Sequence, residues 1–347
     1  MKAAVIKKYG TIVTEDVSKP VMKNNHVLIR VKYASICGSD QHIFKGEFHP
    51  RTKLPLIPGH EFAGIVEEVG NEVKGFSRGD KVTVDPIIWC GECAACRAGH
   101  YPACISLKLI GIDMDGGFAE YVSAPEEKVY KIPSNIPDEH AALTEILSIG
   151  FHASARADLG PHDDILIMGT GKVGNSILQA ARTITDGKII MADILDERLA
   201  IASGSYPEVH TVNTRKTEPV AFIKELTNGR GVDIAFEAVG HEVAVEGRYN
   251  PVRTCINAIK GGGKVCVLGL SDHPSGILMK ELIWKEARII ASRVSHGEFS
   301  QAIAALAMGK LKPEGMITGI LNLDEAQKGF ELLEDEPQKN LKILIKI

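Results

Sequence analysis

Several things are scarce in this chain of 347 residues, and each absence removes a class of function. Basic charge is not in excess: 40 Lys and Arg face 44 Asp and Glu, a formal net charge of -4. Binding to a phosphate backbone normally shows as a basic patch or domain, so nucleic acid is not an expected partner. Long apolar runs are missing as well. No uncharged stretch reaches the roughly 18 residues needed to span a bilayer, and Met1-Lys2-Ala3-Ala4-Val5 leads into no apolar run with a cleavage site. The expectation is a cytoplasmic protein with no membrane partner. Internal repeats and low-complexity segments are also absent, so neither a solenoid nor a disordered tail is expected. The length exceeds what one hydrophobic core usually serves, which makes two domains the default.

What is present is a set of metal-binding donors in two places. Cys37-Gly38-Ser39-Asp40-Gln41-His42 and Gly59-His60-Glu61 put a thiol, two imidazoles, a hydroxyl and several carboxylates close together in sequence. Thiolate, neutral imidazole and carboxylate are the donors of a catalytic Zn2+ site, which takes three protein ligands and keeps one position open. Taken alone, the same residues more readily describe a core cysteine and a solvated His-Glu pair. The spacing Cys90-x2-Cys93-x2-Cys96-x7-Cys104 is more specific. It holds four of the seven cysteines in a glycine-punctuated lobe of about 88–106, and four thiolates can close a tetrahedral shell with no open position, a structural Zn2+ site. The lobe has no basic run or aromatic interleaving, which argues against a nucleic-acid-binding zinc ribbon.

Around these donors the first 147 residues read as short strands, such as Val27 to Tyr33 and Lys81 to Val84, separated by Gly and Pro, with little helical periodicity. The pattern then changes. Ile165-Leu166-Ile167-Met168 runs into Gly169-Thr170-Gly171-Lys172-Val173-Gly174, and Val173, Ile177, Ala181 and Ile184 recur at helical spacing. A second apolar run, Lys188 to Ala192, ends in Asp193. Strand, glycine turn and helix followed by an acid is the arrangement that binds a dinucleotide. The glycines admit the pyrophosphate, the helix N-terminus favours its charge, and the acid bonds a ribose diol. The candidate cofactor contacts are Gly169, Gly171, Lys172, Val173, Gly174, Asp193 and Arg198; Asp193 would repel a 2'-phosphate, so NAD is expected over NADP. Further strands at Val209 to Asn213, Val232 to Phe236, Lys264 to Leu268 and Ala287 to Ala291 alternate with helices at Pro219 to Leu226 and near Val243 to Ile259, with a break at Pro251. The expected class is α/β, a doubly wound parallel Rossmann sheet over 148–291. Two amphipathic helices, Phe299 to Met308 and Asp324 to Leu333, and a strand, Leu341 to Ile347, make up a remainder too small for its own core, so it is expected to rejoin the first domain.

In this order the parts resemble the zinc-dependent medium-chain alcohol dehydrogenases, closest the polyol (sorbitol), L-threonine and butanediol dehydrogenase branch. The resemblance covers essentially the whole chain and rests on Gly59, His60, Glu61, Gly64, Gly70 and Val73, then the four-cysteine lobe, then the glycine motif. It implies a GroES-like β-barrel catalytic domain of 1–147 with 292–347, a Rossmann domain between them, and a homodimer or homotetramer. By the same resemblance the catalytic Zn2+ is held by Cys37 and His60 with Glu61. Glu145 corresponds to a second glutamate that binds the metal or its water, although Ile146 stands where the family usually has proline. Ser39 takes the place of the hydroxyl that relays the substrate proton, and His42 that of the histidine that passes it to solvent through the nicotinamide ribose. Two Zn2+ per chain and NAD are the implied cofactors, and a small alcohol or ketone is the implied substrate. The reaction is reversible oxidation of a secondary alcohol. An NADPH-preferring carbonyl reductase and a non-enzymatic NAD-binding zinc protein are the rival readings.

Overall fold

The computed structural model describes residues 1–240 and 249–347, so the part of the expected helical stretch from Val243 to Arg248 lies outside the described residues. The chain divides into two compact units, Met1–Glu145 with Phe299–Ile347, and Ile146–Glu298. These limits differ from 147 and 292. One helix, Thr144–Arg156, runs through the first limit. Before the second, Glu298 is tied inside its unit: it pairs with His152 at 2.8 Å and accepts from the His296 amide.

The first unit is built on a seven-stranded sheet centred on His26–Ser35. Glu61–Val69 pairs along one side of that strand. Its other side is shared: Tyr121–Pro125 pairs with the first half and Lys342–Lys346 with the second, both antiparallel. Lys81–Val84 and Val129–Lys131 continue the sheet beyond Glu61–Val69, and Ile317–Asn322 runs parallel to Lys342–Lys346 at the opposite edge. Alternation puts Ile29, Val31, Phe62, Val66, Val82, Val122 and Leu344 into the core. The strand at 342–346 enters where the chain leaves His26–Ser35 for Cys37, and the Ile36 amide donates to the Ile343 carbonyl at 3.0 Å.

Several elements of this unit go unannounced by the sequence pattern, among them the sheet strands Tyr121–Pro125, Val129–Lys131 and Ile317–Asn322 and the two that follow. One is the hairpin Lys2–Lys8 with Thr11–Asp16. The other is the helix Gly38–Lys45, whose buried residues are Asp40, Ile43 and Phe44. One of its three inward residues is a carboxylate, so the apolar spacing that marks a helix is lost. Gly46 ends it in the left-handed region at φ 83°.

The second unit is a six-stranded all-parallel sheet in the order His210–Asn213, Ile189–Asp193, Ile165–Met168, Val232–Glu237, Ile259–Val267, Arg288–Ala291. Five of the six follow the sequence expectation closely, and the central ones, Ile165–Met168, Ile189–Asp193 and Val232–Glu237, do so because strands covered on both faces read as near-continuous apolar runs. The exception is Ile259–Val267, which takes in the Gly261-Gly262-Gly263 segment. Pro251 opens a helix, Pro251–Ala258, with the Asn250 side chain capping it through the Arg253 amide. Cys255 and Cys266 lie in the cores on the two faces of the sheet.

The glycine turn follows the central strand. Gly169 has φ 94°, and a Cβ on Gly174 would stand 1.9 Å from the Gly169 carbonyl oxygen, which is why helix and turn approach so closely. Gly174→Ala should therefore lower the unfolding free energy of this unit by about 1–3 kcal/mol. Urea unfolding followed by circular dichroism checks this, and an unchanged midpoint would contradict the packing described.

Candidate metal centre and dinucleotide turn

Cys37 is the N-cap of helix Gly38–Lys45. The Asp40 carboxylate turns back to accept from the Cys37 amide at 2.7 Å and reaches across to the Gly59 amide at 3.2 Å. One buried side chain thus ties together the two segments that carry the donors. The same carboxylate lies 3.6 Å from His60 Nδ1, a carboxylate–imidazole contact of the kind that orients a metal-binding histidine through its far nitrogen. His60 Nε2, on the other side of the ring, lies 3.4 Å from the Ser39 hydroxyl.

Cys37, His60 and Glu61 come together with their donor atoms all within 4.8 Å of one another. Glu145 is buried beside them and interacts electrostatically with all three. It sits in the first turn of Thr144–Arg156, where backbone N–H groups have no partner within the helix. Ile146 and proline are equally admissible there, so the departure at 146 leaves Glu145 in place. His42 lies one turn beyond Ser39 on its helix, half exposed, with Nδ1 bonded to Glu47 and the ring stacked on Phe48 at 5.5 Å.

One participant has no counterpart in the sequence reading. The Lys342 ammonium donates to both oxygens of Glu61, and both residues are 0% exposed. The only sequence signal is a lysine within the apolar strand Leu341 to Ile345.

Burial and charge set the protonation of this cluster. Burial and the Glu61 charge push the Cys37 thiol up, but His60 and Lys342 beside it bring it below the usual thiol value. Burial works against the His60 cation, yet Cys37 and Asp40 raise it well above an ordinary imidazole. Burial would raise Glu61, but Lys342 and His60 hold it below the usual carboxylate value. Desolvation pushes Glu145 up to about 8. A thiol and carboxylates that favour a proton on the imidazole between them are a donor set suited to a cation, and Zn2+ fits it.

The second cluster is the four-cysteine lobe, whose base is a two-stranded pair, Ile87–Ile88 with Lys108–Leu109. Cys90, Cys93, Cys96 and Cys104 have their sulfurs within 4.8 Å of one another. Cys90 Sγ lies 3.5 Å from Cys104 Sγ and 4.0 Å from Cys96 Sγ. Tetrahedral Zn2+ with Zn–S near 2.3 Å requires about 3.8 Å between sulfurs, so the array fits the ion and is far too wide for disulfides. Amide bonds from Cys96 and Ile105 lower Cys93 to about 6, whereas burial and Cys93 raise Cys96 to about 12.

In the second unit Asp193 ends its strand against the glycine turn. Its carboxylate accepts from the amides of Thr170 at 2.7 Å, Ile194 at 2.7 Å and Leu195 at 3.0 Å. Gly171 caps the helix Lys172–Arg182, and Val173 packs its side chain on the core, which leaves its backbone at the helix N-terminus. Arg198 lies over the same turn: a Cβ on Gly171 would be 3.9 Å from its guanidinium.

Residues 23–134 match the family model for the alcohol dehydrogenase GroES-like domain, and residues 173–308 match the model for zinc-binding dehydrogenase. The sorbitol dehydrogenase of Bacillus subtilis strain 168 is 32% identical over 351 residues, covering 99% of this chain and 98% of that protein. The chain belongs to the zinc-type alcohol dehydrogenase family. Among its relatives in that family, the L-idonate 5-dehydrogenase of Vitis vinifera is 36% identical over 299 residues, 84% of this chain and 80% of that protein. A solved alcohol dehydrogenase of Escherichia coli CFT073, complexed with NADH, superposes with a TM-score of 0.90 at 28% identity, covering 100% of this chain and 99% of that one. As a zinc-type alcohol dehydrogenase the chain is an oxidoreductase with a GroES-like domain and a Rossmann-like parallel sheet. No helix among the described residues is long and apolar enough to cross a membrane.

The Glu145 value has a consequence for the metal-free protein. A carboxyl whose folded-state pKa is raised to about 8 binds its proton more tightly folded than unfolded, so its contribution to stability is present at low pH and lost as pH rises toward 8. Chelator-treated protein should lose stability between pH 5.5 and about 8. Glu145→Gln should flatten that slope by up to about 1.4 kcal/mol per pH unit, measured by urea unfolding across the range. An identical slope in the variant would remove Glu145 from the buried cluster.

Proposed function

We propose that the chain catalyses the reversible, NAD-linked oxidation of a secondary alcohol in a polyol or related hydroxy compound to a ketone. The observation that carries this reading is the buried meeting of Cys37, His60 and Glu61, with Ser39 at 3.4 Å from His60 and Glu145 alongside. Zn2+ held there would supply Lewis-acid polarisation of the substrate oxygen, and NAD+ would take up the hydride. Cys37 and His60 would hold the metal together with a carboxylate from Glu61 or Glu145. Asp40 fixes the His60 ring and the spacing of the two donor segments. Ser39 would accept the substrate hydroxyl proton while passing its own proton on toward His42. His42, three residues on along the same helix face and half exposed, delivers that proton to solvent.

Preference for NAD rests on Asp193. Three backbone amides fix its carboxylate beside the glycine turn, where a 2'-phosphate would be repelled. A second Zn2+ would be held by Cys90, Cys93, Cys96 and Cys104, four donors that suit a structural site, and cysteines kept reduced suit the cytoplasm. Among the relatives, enzymes named for sorbitol and for L-idonate support a polyhydroxy substrate.

A second copy of the chain is the expected partner. Arg288–Ala291 is the edge of the parallel sheet among the described residues, and it lies in a stretch that exposes Met279, Ile283 (69%), Trp284 (77%) and Ile289. An edge strand beside exposed apolar side chains is a surface that association would cover. Replacing Ile283 and Trp284 by Glu should convert a dimer or tetramer to smaller species in sedimentation velocity. An oligomer of unchanged size would place the interface elsewhere.

The function is tested by NAD+ reduction across sugar alcohols, inositol-like rings, hydroxy acids, amino alcohols and phosphorylated polyols, each repeated with NADP+. Turnover is expected with at least one polyhydroxy class and with NAD+ preferred. Cys37→Ser should abolish it while zinc content falls from about two to about one per chain. Absence of turnover in every class, or full turnover in Cys37→Ser, would overturn the reading.

A further inference from the structure

Helix Gly38–Lys45 ends in a reversal that folds the chain back on His42. The Gly46 amide donates to the Ile43 carbonyl at 3.0 Å, and the Glu47 amide donates to the His42 carbonyl at 2.8 Å. These two bonds make the glycine-dependent turn that closes many helix C-termini. Glycine is required twice over: the left-handed conformation, φ 83°, disfavours other residues, and a Cβ would stand 2.9 Å from the Tyr9 ring. The turn brings Glu47 and Phe48 beside the His42 side chain. The Glu47 carboxylate bonds Nδ1, and the Phe48 ring stacks on the imidazole at 5.5 Å with 14° between the planes. Arg51 lies 6.0 Å from the centre of the Phe48 ring and is held by Asp113 through two bonds, at 3.0 and 2.7 Å. A half-exposed imidazole is thus held at one nitrogen and across one face. The ion pair itself adds little stability, because its two side chains are 52% and 51% exposed. Its effect is on which ring nitrogen carries the proton. An ionised carboxylate only accepts, so the proton of this bond sits on Nδ1, and in a neutral ring Nε2 is left with the lone pair.

We infer that Glu47 is a positioning residue for His42: its carboxylate, with Phe48 against the ring, fixes the Nδ1–H tautomer and leaves Nε2 as the atom that takes up the proton released in alcohol oxidation. This rests on the reading of His42 as the outlet of the proton relay. On taking the proton at Nε2 the ring becomes an imidazolium, whose charge faces the Glu47 carboxylate. The Nε2 proton then passes to water, and the Nδ1–H bond is intact for the next turnover. A ring without this partner is free to carry its proton on Nε2, which puts a donor where the relay needs an acceptor.

Zinc-loaded protein labelled with nitrogen-15 at histidine reports the tautomer through long-range proton–nitrogen correlation spectra, the His42 signals being those lost in His42→Asn. At about pH 8.5, where an ordinary imidazole is neutral, the wild-type ring is expected to be Nδ1–H. Glu47→Ala should lower the ratio of Nδ1–H to Nε2–H about fivefold or more, and should lower kcat about fivefold or more for the alcohol found by the NAD+ reduction screen, with KM changed less than about twofold. Glu47→Gln, whose amide oxygen accepts from Nδ1–H, should restore the wild-type tautomer. A wild-type ring that is Nε2–H, or an unchanged ratio in Glu47→Ala, would overturn the inference. So would a shifted ratio with kcat unchanged while His42→Asn is impaired, since the tautomer would then be irrelevant to the relay. Full turnover in His42→Asn would instead overturn the relay reading of His42, and the inference with it.

Discussion

The buried ion pair of Lys342 with Glu61 is the contact on which the arrangement of the metal centre depends. Removing one partner of such a pair costs about 3–5 kcal/mol, because the other charge is left in the interior, whereas replacing both by apolar groups is often neutral. The pair is therefore a weak source of net stability and a strong constraint on position. It fixes where a carboxylate stands in a space already holding a thiol, an imidazole and a second carboxyl, and it does so from a strand whose register is set by backbone bonds to Ser35, Ala34 and Tyr33.

Asp40 constrains the other side of the centre. It is fully buried, and its two oxygens bond the Cys37 and Gly59 amides while one of them also faces His60. Cys37 and His60 come from elements with no covalent proximity, and this one carboxylate sets their separation. The two anchors divide the work: Asp40 sets the thiol against the imidazole, and Lys342 sets Glu61 against both.

Much of this was legible in the sequence, and the parts that were not share a cause. The central parallel strands stand out because burial on both faces leaves nothing polar in Ile165–Met168 or in Ile189-Ile190-Met191-Ala192, and the four-cysteine spacing is local enough to be read directly. Asp193 was legible as the acid at the end of the second strand, but not its three bonds to backbone amides, which depend on how the turn closes over it. Lys342 was illegible. Its partner lies 281 residues away, and nothing in an alternating strand of Lys, Ile and Leu says which lysine faces inward. The helix Gly38–Lys45 escaped because Asp40 occupies an inward position that the apolar pattern reserves for a hydrophobic side chain. Site-building residues break the periodicity by which elements are recognised.

The same 281-residue separation has a temporal side. At about 5–20 residues per second a ribosome would deliver Lys342 roughly 14–56 s after Glu61. In that interval the contiguous unit Ile146–Glu298 has been made and can fold, whereas the first unit still lacks the strand that shares an edge of His26–Ser35. Until then Glu61 lacks the ammonium that neutralises it, so burial of that carboxylate in the first unit waits on the C-terminal strand.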